Sequence, residues 1–385
     1  MNERNQAAPR KDTAKKDGLY VAFELSRKKW KLGISDGKTM RARVVTIEAR
    51  DWKRIKEEIE KARERFGLEK DAPVRSCYEA GREGFWIHRM LVERIGFENI
   101  VVDAASMDVK RRKRAKTDRI DAEGLVRQLI RYWREEEKDV WSVVRVPSEE
   151  AEDNRQMHRE IEVLKRERGQ HRVRIQSLLF TVGQDVEVTA GLMKQLDQLC
   201  GWNGKPLQEG MKDRIRREYE RMKVVEQDLA VLKKQQREKL QSNPGSPSLE
   251  KIRKLKQLRG IACGSSWVFV MELFGWRQFR NRREVAGSMG ITPMPYQSGD
   301  SAREQGISHA GNRRARTMAI EIAWSWLRYQ PESRLSRWYR ERFGSGGPRM
   351  RRIGIVAMAR KLMVDLWRYV EFGTIPEGAQ LKPTA

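Results

Sequence analysis

Cysteine and histidine are scarce in this 385-residue chain, which has three cysteines and four histidines. Cys77, Cys200 and Cys263 lie far apart and are odd in number, which argues against a disulfide framework. No Cys/His spacing typical of a zinc site is present. The longest apolar run, at 267–274, is too short to span a bilayer and contains Glu272. Because no signal peptide is visible either, we expect a cytoplasmic protein that has no membrane partner.

Negative charge is also in short supply. Aspartate and glutamate number 54 against 80 lysines and arginines, which gives a formal net charge of +26. This excess runs along the whole chain, and a field of that sign attracts polyanions, most commonly nucleic acid. The densest basic run is expected to contact phosphate backbone rather than bases. It consists of Lys110, Arg111, Arg112, Lys113, Arg114 and Lys116.

The N-terminal third has the pattern of a mixed α/β domain. Residues 1–17 lack apolar periodicity and are predicted to form a disordered basic tail. From residue 18, three short β-rich runs precede strands that alternate with helices, and Asp36-Gly37 between the second and third runs is a tight-hairpin signal. This order is typical of a mixed sheet covered by helices, as in the ribonuclease H-like fold. We place this domain at 18–145.

Two heptad patterns dominate the middle of the chain. One extends from Met157 to Val182 and is interrupted by Arg168 and His171, and the other extends from Met211 to Leu232. They predict an antiparallel coiled-coil arm over 146–245, which serves assembly or RNA contact, or is a structural spacer. A linker at 242–247 leads to a compact, mostly helical domain over 246–372, and a polar tail follows at 373–385.

Four acidic positions of the first domain are candidates for metal binding. Glu24 lies in the first strand, Glu79 ends the fourth, and Asp118 and Asp121 begin the helix after the fifth, where Thr117 is a plausible N-cap. Converging carboxylates repel one another unless a cation lies between them, and Mg²⁺ prefers such oxygen ligands. Two Mg²⁺ ions about 4 Å apart can stabilise both the attacking and the leaving oxygen of a phosphoryl transfer. The alternative is that each acid is an ordinary solvent-facing or salt-bridged side chain.

The segments VAFELS, CYEAGREGFW and KTDRIDAEGL resemble those of a known family, as do LRGIACGSSWVFVMELFGWRQFRNRREVAGSMGITPMPYQSG and SHAGNRRARTMAIEIAW downstream. The family is the DEDD-type insertion-sequence transposases, the IS-one-hundred-and-ten family, which is related to the Piv-type DNA invertases. The resemblance covers most of residues 18–372. It implies a RuvC-like domain, a coiled coil and a helical transposase domain. It also implies that the four acids form a tetrad that binds Mg²⁺. This chain departs from the family at Glu24, where the family has Asp, and at His309, where the family usually has Lys.

The resemblance further implies that Ser298 is a nucleophile that attacks a DNA phosphate and forms a phosphoserine link. Taken alone, Ser298-Gly299 is a common loop dipeptide. Alternative serine nucleophiles nearby are Ser288, Ser301 and Ser308. Tyr296 would be the nucleophile in a tyrosine mechanism.

Basic residues downstream of Ser298 are candidates for DNA contact. Gly311-Asn312 is predicted to be a turn and an N-cap, which places peptide N–H groups at a helix start suited to phosphate. The side chains that could clamp the scissile phosphate are those of Arg313, Arg314 and Arg316. RGIACG at 259–264 resembles a helix-hairpin-helix turn, which would hold DNA backbone.

The first functional hypothesis is an RNA-guided DNA recombinase that moves its own insertion element. The resemblance implies donor and target DNA, a non-coding bridge RNA, a homodimer or homotetramer formed through the coiled coil, and a bacterial, nucleoid-associated location. Alternatives are a DNA invertase, a metal-dependent nuclease or Holliday-junction resolvase in which Ser298 is structural, and a catalytically inactive nucleic-acid-binding relative. Glu24 is the feature that keeps the last alternative open.

Overall fold

The structure, a computed structural model, describes residues 17–39, 41–103, 118–134, 140–242, 245–298 and 301–383. The chain divides into two compact units, Met1–Val146 and Pro147–Ala385. The basic run at 110–116 and Thr117 lie outside the described residues, as does nearly all of the N-terminal tail.

The first unit is built on a five-stranded mixed sheet with the strand order β3-β2-β1-β4-β5. β2 is antiparallel to both β1 and β3, whereas β4 is parallel to both β1 and β5. The elements confirm the strands and helices predicted from the sequence in this region. They are β1 (Leu19–Glu24), β2 (Lys29–Ser35), β3 (Arg43–Glu48), α1 (Trp52–Phe66), β4 (Val74–Glu79), α2 (Trp86–Arg89) with a π-helical turn (Met90–Ile95), β5 (Glu98–Val102) and α3 (Asp118–Trp133).

The tight turn predicted at Asp36-Gly37 is wrong, although the antiparallel pairing that it signalled is confirmed. The ladder between β2 and β3 ends at the pair Ile34 and Arg43, so residues 36–42 join the strands. Gly37 has a φ of +78°, and a Cβ there would lie 2.6 Å from the Tyr20 ring. Asp36 and Gly37 therefore form a wider loop that packs back onto the sheet.

Apolar side chains cover both faces of this sheet. On one face, Phe23, Trp30 and Leu32 pack with Ile55 and Ile59 of α1. On the other face, α3 packs against a separate cluster, whose members are Tyr20, Ala22, Cys77, Ile100, Val102, Leu125, Val126, Leu129, Ile130, Trp133, Val140 and Trp141. The sheet is thus buried on both sides, and α3 lies on the face that carries Ala22 and Cys77.

The second unit is mainly helical. None of the helices in the described ranges is both long and apolar enough to cross a membrane. Its elements are α4 (Glu149–Phe180), α5 (Leu192–Gln195) with a 3₁₀ turn (Leu196–Gln198), α6 (Glu209–Ser242), α7 (Pro247–Gln257), α8 (Cys263–Phe269) with a π-helical turn (Val270–Phe274), α9 (Arg282–Met289), β6 (Pro293–Ser298), β7 (Ser301–Ile307), α10 (Arg313–Tyr329), α11 (Arg334–Tyr339) with a π-helical turn (Arg340–Gly344), and α12 (Pro348–Phe372).

The two heptad patterns correspond to α4 and α6, which pack against each other. Ile175 and Leu179 near the end of α4 share a core with Ile215 and Met222 in the first half of α6. This pairing shows that the helices run antiparallel. His171, one of the two polar interruptions of the first pattern, has its Nδ1 2.6 Å from a carboxylate oxygen of α6, whereas Arg168 is exposed.

The C-terminal region is mostly helical, as predicted, and it also contains one pair of strands that was not predicted. β6 and β7 form an antiparallel two-stranded sheet between α9 and α10. Pro293 and Pro295 interrupt the usual strand pattern in β6, and the ladder shifts register between them. A proline-bearing strand of this kind gives only a weak signal in the sequence.

Candidate active site

Two of the predicted acids lie at the ends of neighbouring strands. β1 and β4 are parallel, and their ladder pairs Phe23 with Tyr78. Glu24 and Glu79 follow directly as the last residues of these strands, and both are partly buried. The sheet therefore brings together two carboxylates that are 55 residues apart in the sequence.

Helix α3 begins at the same edge of the sheet. A Cβ on Gly33 would lie only 2.9 Å from the Ala122 carbonyl oxygen, so the first turns of α3 cross β2 where Gly33 pairs with Ala22. At the other end of α3, Arg134 donates a hydrogen bond to the Gly37 carbonyl, beyond the start of β1. α3 thus runs opposite to β1, with its first residues toward the carboxyl ends of β1 and β4.

Asp118 and Asp121 occupy the first turn of α3, so all four predicted acids belong to elements that meet at one edge of the sheet. Asp121 is partly buried, and Glu24 pairs in register with Lys31 of β2. The side chain of Asp118 is outside the described set. Among the side chains that are described, no group of three His, Cys, Asp or Glu residues is placed to hold a metal ion. The tetrad therefore remains a prediction, supported by the placement of its elements.

Asp103 is a further acid that the sequence reasoning did not single out. It follows β5 directly, so it lies at the same end of the sheet as Glu79. Val102 packs on the α3 side of the sheet, whereas Val101 packs on the α1 side. Since side chains alternate along a strand, Asp103 is expected on the α1 side, away from Glu24 and Glu79.

Ser298 lies in the last pair of the β6–β7 ladder, opposite Ser301. The two residues between them, 299 and 300, are outside the described set, as are the side chains of Ser298 and Ser301. Two of the rival serines are engaged elsewhere: Ser288 Oγ donates to the Val285 carbonyl oxygen at 2.8 Å, and Ser308 Oγ accepts a hydrogen bond from Thr292. Ser298 is thus at the tip of a hairpin rather than in a plain loop.

The base of this hairpin is a close crossing of two backbone segments. The His309 N–H donates to the Gly290 carbonyl at 3.1 Å, and the Asn312 N–H donates to the Ser288 carbonyl at 2.8 Å. A Cβ on Gly290 would lie 1.8 Å from the Ala310 carbonyl oxygen, so no side chain fits there. His309 itself adopts a left-handed conformation with a φ of +56°. The crossing fixes where both strands of the hairpin leave the helical core.

Arg316 and Asn312 have defined roles at this crossing. Arg316 Nη1 donates to the carbonyl oxygens of Met289 and His309, at 2.8 and 2.9 Å, and so ties the two segments together. Asn312 is confirmed as the N-cap of α10, because its Oδ1 accepts a hydrogen bond from the Ala315 N–H at 3.0 Å. Of the other two predicted clamp residues, Arg313 is exposed and Arg314 pairs with Glu162 of α4 at 2.7 Å.

A buried carboxylate that was not predicted from the sequence contacts the N-cap residue Asn312. Glu272 is fully buried, and its Oε2 accepts a hydrogen bond from Asn312 Nδ2 at 2.7 Å. Arg159 donates to both carboxylate oxygens at 2.8 and 2.9 Å, and His158 Nε2 lies 2.8 Å from Oε1. Burial by itself would raise the pKa of Glu272, but the hydrogen bonds from His158 and Arg159 hold it well below its usual range. Glu272 thus links α4 to the start of α10.

Comparison with known proteins gives one family match and two related proteins. Residues 252–337 match the model of the "Transposase IS116/IS110/IS902 family". The protein named "Putative transposase y4rJ" from Sinorhizobium fredii (strain NBRC 101917 / NGR234) is 38% identical over 379 residues, which cover 94% of each chain. "Putative transposase y4qE" from the same strain is 28% identical over 268 residues, or 69% of this chain and 61% of that relative.

The chain belongs to the IS116/IS110/IS902 transposase family. Members of a transposase family cleave DNA and transfer strands, so this transposase acts on DNA. The matched segment contains Glu272, the β6–β7 hairpin with Ser298, the crossing at Gly290 and the N-cap Asn312.

In this transposase the RGIACG segment joins α7 to α8, and Gly260 has a φ of +84°. Several N–H groups of the turn are used within the protein. Those of Arg259, Ile261 and Ala262 donate to Gln380, Leu258 and Ser265 respectively. A turn between two helices is confirmed, but these three amides are not available to hold DNA backbone.

Proposed function

We propose that this transposase cuts and rejoins DNA through Ser298, with Mg²⁺ held at the carboxyl ends of β1 and β4, and that a non-coding RNA guides it to its targets. The observation that carries this proposal is the position of Glu24 and Glu79 at adjacent parallel strand ends, at the edge where α3 begins. The strand order β3-β2-β1-β4-β5 supports a ribonuclease H-like, RuvC-like fold for the first unit.

The residues that would hold Mg²⁺ are Glu24, Glu79, Asp118 and Asp121. Carboxylate oxygens are the hard ligands that Mg²⁺ takes, so the chemistry of the donor set fits the ion. Two bound ions would stabilise the charge that develops on the attacking and leaving oxygens of phosphoryl transfer. Glu24 reaches further than the Asp of the family, by one C–C bond, and it approaches the site from the end of β1.

The chemical step is a transesterification at a DNA phosphate. The Ser298 hydroxyl oxygen forms a bond to phosphorus, the bond between that phosphorus and one sugar oxygen breaks, and the serine proton ends on the released sugar oxygen. A hydroxyl of the second DNA strand then attacks the phosphoserine, which rejoins the DNA and returns the proton to Ser298. A serine at the tip of a hairpin can reach a DNA phosphate without enclosing the DNA backbone in a pocket.

The long helices and the basic run supply the remaining parts of the proposal. α4 and α6 have the length and the antiparallel pairing of a coiled-coil arm, which would join protomers into a dimer or tetramer. Lys110, Arg111, Arg112, Lys113, Arg114 and Lys116 would contact the phosphate backbone of DNA or guide RNA.

Removal of one tetrad carboxylate tests the metal site. Glu79→Gln and Asp118→Asn are each expected to lower the rate of DNA cleavage by at least about 100-fold, because they remove ligands rather than residues around the ligands. Cleavage is measured with the element's end DNA at saturating Mg²⁺. Asp103→Asn is the matched control, since Asp103 directly follows the neighbouring strand β5 but is expected on the other face of the sheet.

Full activity of Glu79→Gln, or an equal loss in Asp103→Asn, would contradict the proposed site. Cleavage that depends on Glu79 and Asp118 but survives Ser298→Ala would instead indicate a metal-dependent nuclease or resolvase. Binding of DNA with no cleavage by the wild-type chain at any Mg²⁺ concentration would indicate a catalytically inactive relative.

A further inference from the structure

A basic groove lies in the second unit. It has a volume of about 520 Å³ and is lined by residues of α9, α11 and α12, together with Thr292 directly before β6. Its cationic lining residues are Arg282, Arg283, Arg334, Arg360, Lys361 and Arg368. One carboxylate, that of Asp365, lines the same groove. Positive charge of this density in a concave surface favours a polyanion.

Asp365 positions two of the arginines without consuming their hydrogen-bonding capacity. Its carboxylate oxygens lie 3.9 Å from Arg334 Nη2 and 4.0 Å from Arg368 Nη1, which is longer than a direct hydrogen bond. Burial holds the pKa of Asp365 above its usual value, and Arg334, Arg368 and Lys361 offset this only in part. Both guanidinium groups are about half exposed. Arg334 also pairs with Glu377 through its Nε, at 3.1 Å. The Nη groups of Arg334 and Arg368 can still donate to a phosphate.

An exposed aromatic ring extends the groove at one end. Arg282 and Arg368 also line an adjoining depression with Trp367 and Phe372. Phe372 is the last residue of α12, is 68% exposed, and packs edge-on against Trp367 with 5.6 Å between ring centroids. An exposed aromatic beside arginines is the arrangement that proteins use to stack unpaired bases along a bound strand.

We propose that this groove binds a single-stranded segment of nucleic acid, with phosphates on the arginines of α9 and α12 and one base stacked on Phe372. In a duplex both faces of each base are already stacked on neighbouring bases, so no base face is free to stack on Phe372. The shared chemistry of a phosphodiester backbone and unpaired bases is available from guide RNA and from a separated DNA strand.

The inference deepens the proposed function but is tested by binding alone, so it can fail or succeed whether or not Ser298 is the nucleophile. The full-length chain is titrated with short single-stranded RNA, single-stranded DNA and duplex DNA of one sequence, over a range of salt concentrations. The groove variants are Phe372→Ala and the double variant Arg282→Gln/Arg360→Gln. The matched control is Arg349→Gln/Arg352→Gln, which removes the same charge from exposed positions at the start of α12.

Phe372→Ala is expected to weaken single-strand binding about ten-fold and to leave duplex binding unchanged. The double groove variant is expected to make the salt dependence shallower. The magnitude of the slope of log K against log salt should fall by about 1.4, since each lost phosphate contact on a single strand contributes about 0.7. Phe372→Trp should retain wild-type affinity. Preference for RNA over single-stranded DNA would identify the guide as the ligand, and the reverse preference would identify a separated DNA strand.

A photocrosslink provides the local readout. Single strands that carry 5-iodouracil are irradiated on the wild-type chain, and the crosslinked peptide is identified by mass spectrometry. The expected peptide contains Phe372. Crosslinks that exclude this region, equal losses in the groove and control variants, or equal losses for duplex and single strands would overturn the proposal.

Discussion

Replacement of Glu272 by alanine is expected to lower the free energy of unfolding by about 3–5 kcal/mol, because it removes the buried carboxylate on which the partly buried Arg159 and the buried His158 converge. Glu272 is fully buried and accepts hydrogen bonds from Arg159 and Asn312, with His158 at 2.8 Å. The loss is measured as a shift of the urea unfolding curve. Hydrogen exchange should increase at both ends of the network, near residues 155–162 and 309–316.

Two comparisons make this prediction specific. Glu162→Ala removes the partly exposed partner of Arg314 and should cost only about 0–1 kcal/mol. Because the folded-state pKa of Glu272 is depressed, its contribution is fully present above the unfolded pKa of about 4.3 and is lost progressively as pH falls from there toward the lower folded-state pKa. The wild type should therefore lose its advantage over Glu272→Ala at low pH. A difference that is independent of pH, or smaller than the Glu162→Ala effect, would contradict the account.

The second large effect is expected at Gly290, where Gly290→Ala should lower the free energy of unfolding by about 2–5 kcal/mol. The φ of +65° is left-handed, which costs an alanine about 1–2 kcal/mol. Overpacking adds about 1–3 kcal/mol more, since a Cβ there would lie 1.8 Å from the Ala310 carbonyl oxygen. The backbone cannot yield as a flexible side chain would. Urea unfolding measures the loss, and DNA cleavage should fall with it as the hairpin is displaced.

Gly287→Ala is the matched control, three residues earlier. Gly287 lies within α9, and a Cβ there would meet nothing within 4 Å. An alanine at such a helical position should stabilise the chain by about 0.5–1 kcal/mol. If Gly290→Ala were as stable as the wild type, the segments before and after the hairpin would not cross as the structure shows.

The fold of the first unit could be predicted from local patterns because its strands are short, apolar and separated by clear helices. The tight turn predicted at Asp36-Gly37 was wrong, since an Asp-Gly pair indicates a turn but does not determine how many residues the turn contains. β6 was missed because its prolines suppress the strand signal. In α4, the His171 interruption makes sense only once Glu218 of α6 lies beside it.

The candidate site divides in the same way. Glu24, Glu79, Asp118 and Asp121 could be proposed from the sequence, because they end or begin elements whose pairing follows from the strand order. Glu272 could not, since it sits in an apolar run and two of its partners, His158 and Arg159, lie more than a hundred residues away in the chain. The contact between Arg316 and the Met289 carbonyl was equally invisible, because it depends on how two loops cross.

The most direct test of the account is to trap the protein on DNA. The wild-type chain is incubated with the element's end DNA and Mg²⁺, denatured, and analysed for a covalent peptide–nucleotide adduct, with Ser298→Ala and Ser301→Ala run in parallel. The account predicts an adduct on the peptide that contains Ser298, present in Ser301→Ala and absent in Ser298→Ala. DNA cleavage by Ser298→Ala at the wild-type rate, or an adduct that maps to Tyr296, would contradict it.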